Sequence, residues 1–417
     1  MKQRLFTLFA TLLCCISMYA DGDPEESQLE VYTEFVEETG TLTYYYDDKR
    51  QECAGVTEVY DPIGNPNAVR FTGYYEKVNI AVIDPSMKNA PLTSYKNLFY
   101  GNYNLETHVN QSLSKMQILK GLENLNTAIV VDMGSMFRGC SLLISLDLSS
   151  FNTENVTDMS DMFYYCTALT SLNLSSFNTE NVTDMNSMFY HCKALTSLDL
   201  SSFNTENVTN MGGMFQGCTA LTSLDLRSFK TENVTDMSGM FYRCEALTSL
   251  DLSSFNTANV TDMNCMFAFC FALISLDLSS FNPSSQTIIF NMFKDCGKLK
   301  TIYCNYDWST FTNSDYMFNG CISLVGGKGT RFDEGISNKT YARPDGGTES
   351  PGYFTLRIKG DADGNGQVNA ADIVAISNYM MGNPPTGFNK AAADINFDGV
   401  INIADIVAVA NILLSGK

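Results

Sequence analysis

Along SLDLSSFNTENVTDM, Ser145 to Met159, apolar and polar residues follow an order that the chain then repeats. Leu146 and Leu148 alternate with Ser145, Asp147 and Ser149, the period of a short strand with one apolar face. Phe151 closes that face. The stretch NTENVTDM is rich in turn formers, with Val156 and Met159 as inward anchors. In MFYYCTAL, the spacing of Met162, Phe163, Cys166 and Leu169 predicts one helical or 3₁₀ turn facing the same core. The phrase returns from Ser171, Ser197, Ser223 and Ser249 with few changes. A unit this short cannot bury its apolar face alone, so the period predicts stacked coils, a solenoid.

Cysteines mark the period. They stand at 140, 166, 192, 218, 244, 270 and 296, each 26 residues after the last, and Cys321 follows after 25. One thiol per coil at one phase predicts a buried column. Parallel strands lie about 4.8 Å apart, near enough for disulfides. Paired bridges would divide the coils into alternating twos, and the copies show no such alternation. Free thiols packed as small hydrophobes are the expectation.

The copies differ from one another in two windows: between the methionines, and beside the cysteine. The second window reads Arg138-Gly139, Tyr164-Tyr165, Tyr190-His191, Gln216-Gly217, Tyr242-Arg243 and Ala268-Phe269. Exposed aromatics with Arg are favoured at recognition surfaces, which makes Tyr164, Tyr165, Tyr190 and Tyr242 candidate partner-binding residues. The competing reading is a solvated side with coil-to-coil stacking. Another column holds Asp147, Asn173, Asp199, Asp225, Asp251 and Asp277. Stacked like charges repel, so water, Ser hydroxyls or a cation must offset them. NVT, from Asn155, Asn181, Asn207, Asn233 and Asn259, matches the N-glycosylation sequon. Its periodic setting instead assigns Asn and Thr to turn backbone groups.

From about Leu98 to Phe354 the chain resembles BspA-like bacterial surface leucine-rich-repeat proteins, through the pattern NVTDMSxMFxxCxxLTSLDLSSF. The resemblance implies a strand and a short helical turn per coil. NLFYGN is a degenerate early copy with Asn102 in the cysteine slot, and GGTESPGYFT, Gly346 to Thr355, reads as a closing cap. Before the repeats, TGTLTYYYDD, TEVYDP and KVNIAVIDP are alternating runs broken by Gly, Pro and Asp. They predict a β-rich cap, with Cys53 as a lone thiol.

Near the end stand DADGNGQVNAAD and DINFDGVINIAD, starting at Asp361 and Asp394. Calcium takes six to eight oxygens, and a 12-residue loop supplies them from positions 1, 3, 5, 7, 9 and 12 around a glycine at 6. The first loop offers Asp361, Asp363, Asn365, Gln367 by its carbonyl, Asn369 through water, and Asp372. The second offers Asp394, Asn396, Asp398, Val400 by its carbonyl, Asn402 and Asp405. Each loop leads into an apolar helical run, and RIKG enters the first loop with no helix before it. The pair resembles a type I dockerin. That resemblance implies two Ca²⁺ ions and a cohesin-like partner met at loop positions 10 and 11. Those are Ala370, Ala371, Ile403 and Ala404, without the hydroxyl or basic residues common in the family.

The expected fold is therefore an α/β solenoid of leucine-rich-repeat coils of about 26 residues, with an N-terminal β-rich cap and a small all-α calcium-binding C-terminal domain. The predicted units are a signal peptide at 1–20, the cap at 21–95, the repeats with their closing cap at 96–355, and the dockerin-like pair at 356–417. In MKQRLFTLFATLLCCISMYA a basic start precedes an apolar run too short to span a bilayer, and Ala20 then offers a cleavage point. Lipidation at Cys14 or Cys15 is the alternative, and TLL before them lacks the small residue it favours. This places the protein outside the cell or on its surface, with no transmembrane span. A net charge of −20 over 417 residues argues against nucleic acid and anionic membranes as partners.

Catalysis is not expected. The two histidines, His108 and His191, have no Ser or Cys nucleophile elbow near them, and the repeat carboxylates recur alike in every coil where a catalytic site needs a unique constellation. The expected function is binding or adhesion: docking through the dockerin while the repeats meet a host or surface protein or a glycan. The alternatives are a glycan-active component of a dockerin-assembled polysaccharide-degrading complex, and a plain spacer.

Overall fold

The computed structural model describes residues 29–59, 77–100, 115–385, 388–395 and 400–415. The expected signal peptide with Cys14 and Cys15, Asn102, His108, and the second-loop residues Asn396 and Asp398 lie outside the described residues.

The N-terminal strands are β1 (Glu30–Val36), β2 (Thr41–Asp47), β3 (Val56–Val59), β4 (Ile80–Ile83) and β5 (Ile118–Lys120). They form one mixed sheet in the order β3-β1-β2-β4-β5. β1 and β2 are antiparallel, whereas β4 and β5 join in parallel. The hairpin turns at Gly40, whose φ is +63° and where a Cβ would sit 2.6 Å from Asn79 Nδ2. Tyr44 of β2 is buried and donates its hydroxyl to the Leu98 carbonyl at 3.0 Å, tying sheet to repeats.

In the repeats, alternation in SLDL works as expected: Leu146 and Leu148 are buried and Ser145 and Asp147 exposed. β6 (Ser145–Leu146) and β7 (Ser171–Leu172) pair in parallel and in register. A second parallel row, unforeseen from the sequence, bridges Ser94 to Asp132 and then runs through Asp158, Asp184, Asn210, Asp236 and Asp262 to Ile288.

The helical or 3₁₀ turn expected at MFYYCTAL is not formed. Asp161 and Tyr165 have φ of +56° and +59°, in the left-handed region that ends a right-handed turn. The backbone alternates instead. Met159, Asp161, Phe163 and Tyr165 donate their N–H groups to Asp184, Asn186, Met188 and Tyr190 of the next coil, while Met162, Tyr164 and Cys166 donate to the residue three before them. Every second peptide thus bonds coil to coil, satisfying buried backbone groups without a helix.

Inside, Phe137, Phe163, Phe189, Phe215, Phe241, Phe267, Phe293 and Phe318 stack ring on ring with adjacent centroids 5.6–5.8 Å apart. Each such buried ring contributes roughly 1.5–3 kcal/mol relative to exposure. The ladder cysteines are free and buried. Each thiol donates to the Phe carbonyl one coil back, as Cys166 does to Phe137 at 3.2 Å. Burial pushes the thiols of Cys166, Cys218 and Cys296 up to about 12. Since the thiolate is the reactive form, these sulfurs are inert.

The stack ends in β8 (Ser275–Asp277), β9 (Thr301–Tyr303) and β10 (Phe354–Thr355), a parallel sheet in the order β10-β9-β8. One apolar core runs from Val31 to Phe354. A separate small core joins α1 (Ala370–Met380), α2 (Lys390–Ala393) and α3 (Ile403–Ser415) through Ala375, Ile376, Ala393, Ile395 and Val409. Val368 and Ile401 of the two loops pack against it. Among the described residues no helix is long and apolar enough to cross a membrane.

Candidate calcium centres and repeat surface

Asn369 caps α1 and Asp372 completes a capping box, so the first loop is welded to its helix. Both oxygens of Asp372 accept backbone N–H groups, from Asp363 at 3.0 Å and Asn369 at 2.7 Å. Asp363 accepts from the Asn365 N–H, and Asn365 in turn from Gln367, which folds the loop inward. Asp361 is buried; one of its oxygens accepts from Gly366 at 2.9 Å and the other, Oδ1, is buried with no hydrogen-bond partner. Gly366 has φ of +87°, the sharp turn that position 6 requires. One carboxylate oxygen each from Asp361, Asp363 and Asp372 lies within 4.8 Å of the others. Burial raises the Asp361 pKa, followed in weight by the opposing Gly366 bond and the neighbouring carboxylates. Converging hard oxygens with an orphaned buried acceptor fit a calcium ion. Asn365, Gln367 and Asn369 belong to the same loop, where the Asn369 side chain accepts from the Ala371 N–H at 2.8 Å.

The second loop has the same frame where it is described. Asp405 is buried and accepts from Ile395 at 2.8 Å and Asn402 at 2.9 Å. Asn402 also donates its side-chain amide to the Val400 carbonyl at 3.0 Å. Asp394 enters this loop from the end of α2. Ala370 and Ala371 open α1, and Ile403 and Ala404 open α3; all four are exposed. Val374 and Val407, 33 residues apart, continue these openings with 58% and 53% exposure. The sequence reading omitted both, although their apolar character at a shared loop-helix phase was visible.

The repeat tyrosines are half-buried and engaged with one another. Tyr164 and Tyr190 stack at 4.4 Å, and Tyr165 stacks on His191 at 4.7 Å. The Arg138 guanidinium lies 3.8 Å over the Tyr164 ring and pairs with Asp161. Gln216 donates to the Tyr190 hydroxyl at 3.0 Å. Tyr242 meets Phe269 edge-on at 5.3 Å. Burial lowers His191 to about 4, helped by Lys193 and Arg243, so it is neutral at pH 7.

The Asp147 column resolves locally: Asp147, Asp199 and Asp251 each accept the backbone N–H two residues on, and Asn173 does likewise. Bonds from Ser149 and Ser201 hold Asp147 and Asp199 below the usual carboxylate range. The sequon asparagines are also committed. Asn155, Asn181, Asn207, Asn233 and Asn259 donate their side-chain amides to backbone carbonyls of the preceding coil at 2.7–2.8 Å.

A family model described as "Mycoplasma protein of unknown function, DUF285" matches residues 93–226 and 213–326. A model of the dockerin type I domain matches residues 359–414. No curated protein matches the chain. Similar solved structures include a leucine rich cell surface protein from Faecalibacterium prausnitzii, 16% identical, covering 73% of this chain and 94% of that one with a TM-score of 0.25. A leucine-rich-repeat protein from Eubacterium ventriosum is 14% identical, covering 75% and 90%, with a TM-score of 0.26. An internalin from Listeria monocytogenes is 15% identical, covering 46% and 67%, with a TM-score of 0.18.

Proposed function

The chain belongs to the DUF285 family of repeat proteins and ends in a type I dockerin domain, and on that premise we propose a secreted or cell-surface, non-catalytic binding protein. Its stacked coils form a leucine-rich-repeat solenoid between a β-rich cap and the dockerin. Two Ca²⁺ ions order the loops, one through Asp361, Asp363, Asn365, Gln367, Asn369 and Asp372 and one through Asp394, Asn396, Asp398, Val400, Asn402 and Asp405. The ordered unit presents Ala370, Ala371, Ile403 and Ala404, with Val374 and Val407, to a cohesin-like partner. The repeats face outward to a protein or glycan ligand.

The observation that carries this reading is the meeting of three carboxylates around the unpartnered Asp361 Oδ1. The test is capture of surface and secreted proteins by the mature chain in calcium and in chelator. A partner held only in calcium, and lost in the Asp361→Ala, Asp394→Ala double variant, is the expected result. Equal capture in both buffers would sink the docking role.

A further inference from the structure

The coils are not evenly spaced across their width. Between the coil of Cys166 and that of Cys192, equivalent rings stay within 6° of parallel, so their centroid separations measure the local spacing. Beside the cysteines, Tyr164 and Tyr190 are 4.4 Å apart. In the core Phe163 and Phe189 are 5.6 Å apart, and behind the leucine strand Phe151 and Phe177 are 6.4 Å apart. Backbone bonds follow the same gradient. On the cysteine side the N–H groups of Gly139, Tyr165, His191, Gly217, Arg243 and Phe269 reach the next coil at 2.6–2.9 Å. On the strand side those of Thr170, Thr222, Ile274 and Lys300 reach the coil before at 2.8–3.3 Å. The stack therefore bends toward the residues flanking the cysteines, which line its concave side.

Charge on that side has a period of its own. In the pairs before and after each cysteine, cations fall on alternate coils: Arg138 by Cys140, Lys193 by Cys192, Arg243 by Cys244, and Lys294 with Lys298 by Cys296. The coils of Cys166, Cys218 and Cys270 carry none there. Arg138 is paired with Asp161. Lys193 and Arg243 are exposed, and among the described residues no acid forms an ion pair with Lys193, Lys294 or Lys298. Arg243 meets Glu245 loosely, at 3.7 Å, and the other acid of these pairs is Asp295. By contrast Arg227 and Lys230, near the strand, hold Asp225 and Glu206 at 2.6 and 2.7 Å. Between two of the cationic coils stands Phe269, with the Arg243 guanidinium 4.9 Å and Lys294 Nζ 5.8 Å from its ring centre. Phe271 lies edge-on to it at 6.0 Å and is 43% exposed. After burial, Lys193 and then Arg243 hold the His191 pKa down, so both cations act on one stretch of surface.

We propose that this concave side is a track for a linear polysaccharide in which an acidic sugar alternates with a neutral one. The inference deepens the repeat-ligand reading above and rests on it. Two coils span roughly 9–10 Å, the length of an extended disaccharide. Successive acidic sugars then meet Lys193, Arg243 and Lys294 through charge-assisted hydrogen bonds. The neutral sugars between them lie over the coil of Gln216 and Gly217 and against Phe271. Along each coil the track runs between the row of Asp158 and the column of Asp147, and both repel a polyanion that strays. A single sugar chain is narrow enough to lie between these acids. An acidic protein surface would overlap them, and like charges brought together are costly.

The test is calorimetric titration of the full chain, in calcium and at low salt, with hyaluronan oligosaccharides, in which glucuronate alternates with a neutral acetylated amino sugar. Chitin oligosaccharides supply a neutral control and polyglutamate an acidic polypeptide. Hyaluronan should bind, should level off at about six sugars, where three acidic groups reach three cations, and should weaken as salt rises. Arg243→Gln and Lys294→Gln should each weaken it about tenfold. Arg243→Lys, which keeps the charge, should retain most of the affinity, and Lys230→Gln should match the wild type. Equal binding of chitin, or affinities unmoved in R243Q and K294Q, would overturn the track while leaving a glycan-binding protein. Tighter binding of polyglutamate would overturn the polysaccharide in favour of an acidic protein. No binding of any probe overturns the track, and the capture experiment above then judges the binding reading separately.

Discussion

The repeats and the C-terminal unit use the same residue, aspartate, to opposite ends. In each coil an aspartate accepts the N–H two residues on, as Asp158 does from Ser160 and Asp184 from Asn186, at 2.8 Å each. Its neighbours hold the same slot one coil up and one coil down, aspartate at 132, 158, 184, 236 and 262 and asparagine at 210, so the carboxylates form a line along the stack. In the first loop Asp361, Asp363 and Asp372 come from one turn of chain and converge. Identical chemistry is structural when translated along an axis and fits a metal ion when wrapped around a point. The cores are separate as well, one built on stacked rings and the other on Ala, Ile and Val.

The separation is broken most strongly from inside the stack. Phe215→Ala removes a ring lying between Phe189 and Phe241 and should destabilise the repeats by about 3–5 kcal/mol in chemical denaturation. Calcium affinity should stay at the wild-type value, since no ring of the stack enters the small core. Asp361→Ala with Asp394→Ala should do the reverse. At calcium about 100-fold above its dissociation constant, roughly 2.7 kcal/mol of stabilisation per ion should vanish from the C-terminal transition. The repeat transition should not move.

Smaller changes sharpen the picture of the coil. Ser187 has φ of +53°, and Gly213 holds the same place one coil on at +62°. Gly213→Ser should cost about 1 kcal/mol, and Ser187→Gly should gain about half of that. Paired thermal melts measure both. Asp184→Asn is the mildest change. Burial raises the Asp184 pKa against the bond from Asn186, and Asp158 adds to the rise. A carboxyl raised in the folded state favours folding below its unfolded pKa and loses that contribution as pH climbs through the folded value. At pH 7 the variant should therefore be more stable by about 0.5 kcal/mol, a figure discounted for solvent screening. Below the carboxylate range the two proteins should converge. Asn210 already holds this slot with the same bond, accepting from Gly212 at 3.0 Å. A variant less stable at pH 7 would contradict the repulsive reading of the column.

Much of this was legible in the residues. The 26-residue spacing of Cys140 to Cys296 placed the thiols, methionines and phenylalanines on one inward face, because only stacking lets so short a unit exclude water. Both candidate loops stand out as oxygen-bearing side chains at fixed offsets, since a 12-residue loop is local, and the structure brings Asp361, Asp363 and Asp372 of the first together. Other features depended on neighbours distant in sequence. The spacing around Cys166 suits a helical turn as well as the observed one. The choice fell to the next coil, whose carbonyls at Asp184, Asn186, Met188 and Tyr190 draw every second N–H outward. That the Tyr164 and Tyr190 rings lie one on the other depends on the coil-to-coil stack. The sheet takes its fifth strand from residues 118–120, beyond the segment whose pattern announced it.

The sequence by itself determined what must be buried and what can hold a metal, because burial follows side-chain periodicity and chelation follows loop spacing. Only the tertiary structure decided which polar groups are already satisfied, because hydrogen bonds and ion pairs depend on positions brought together across coils.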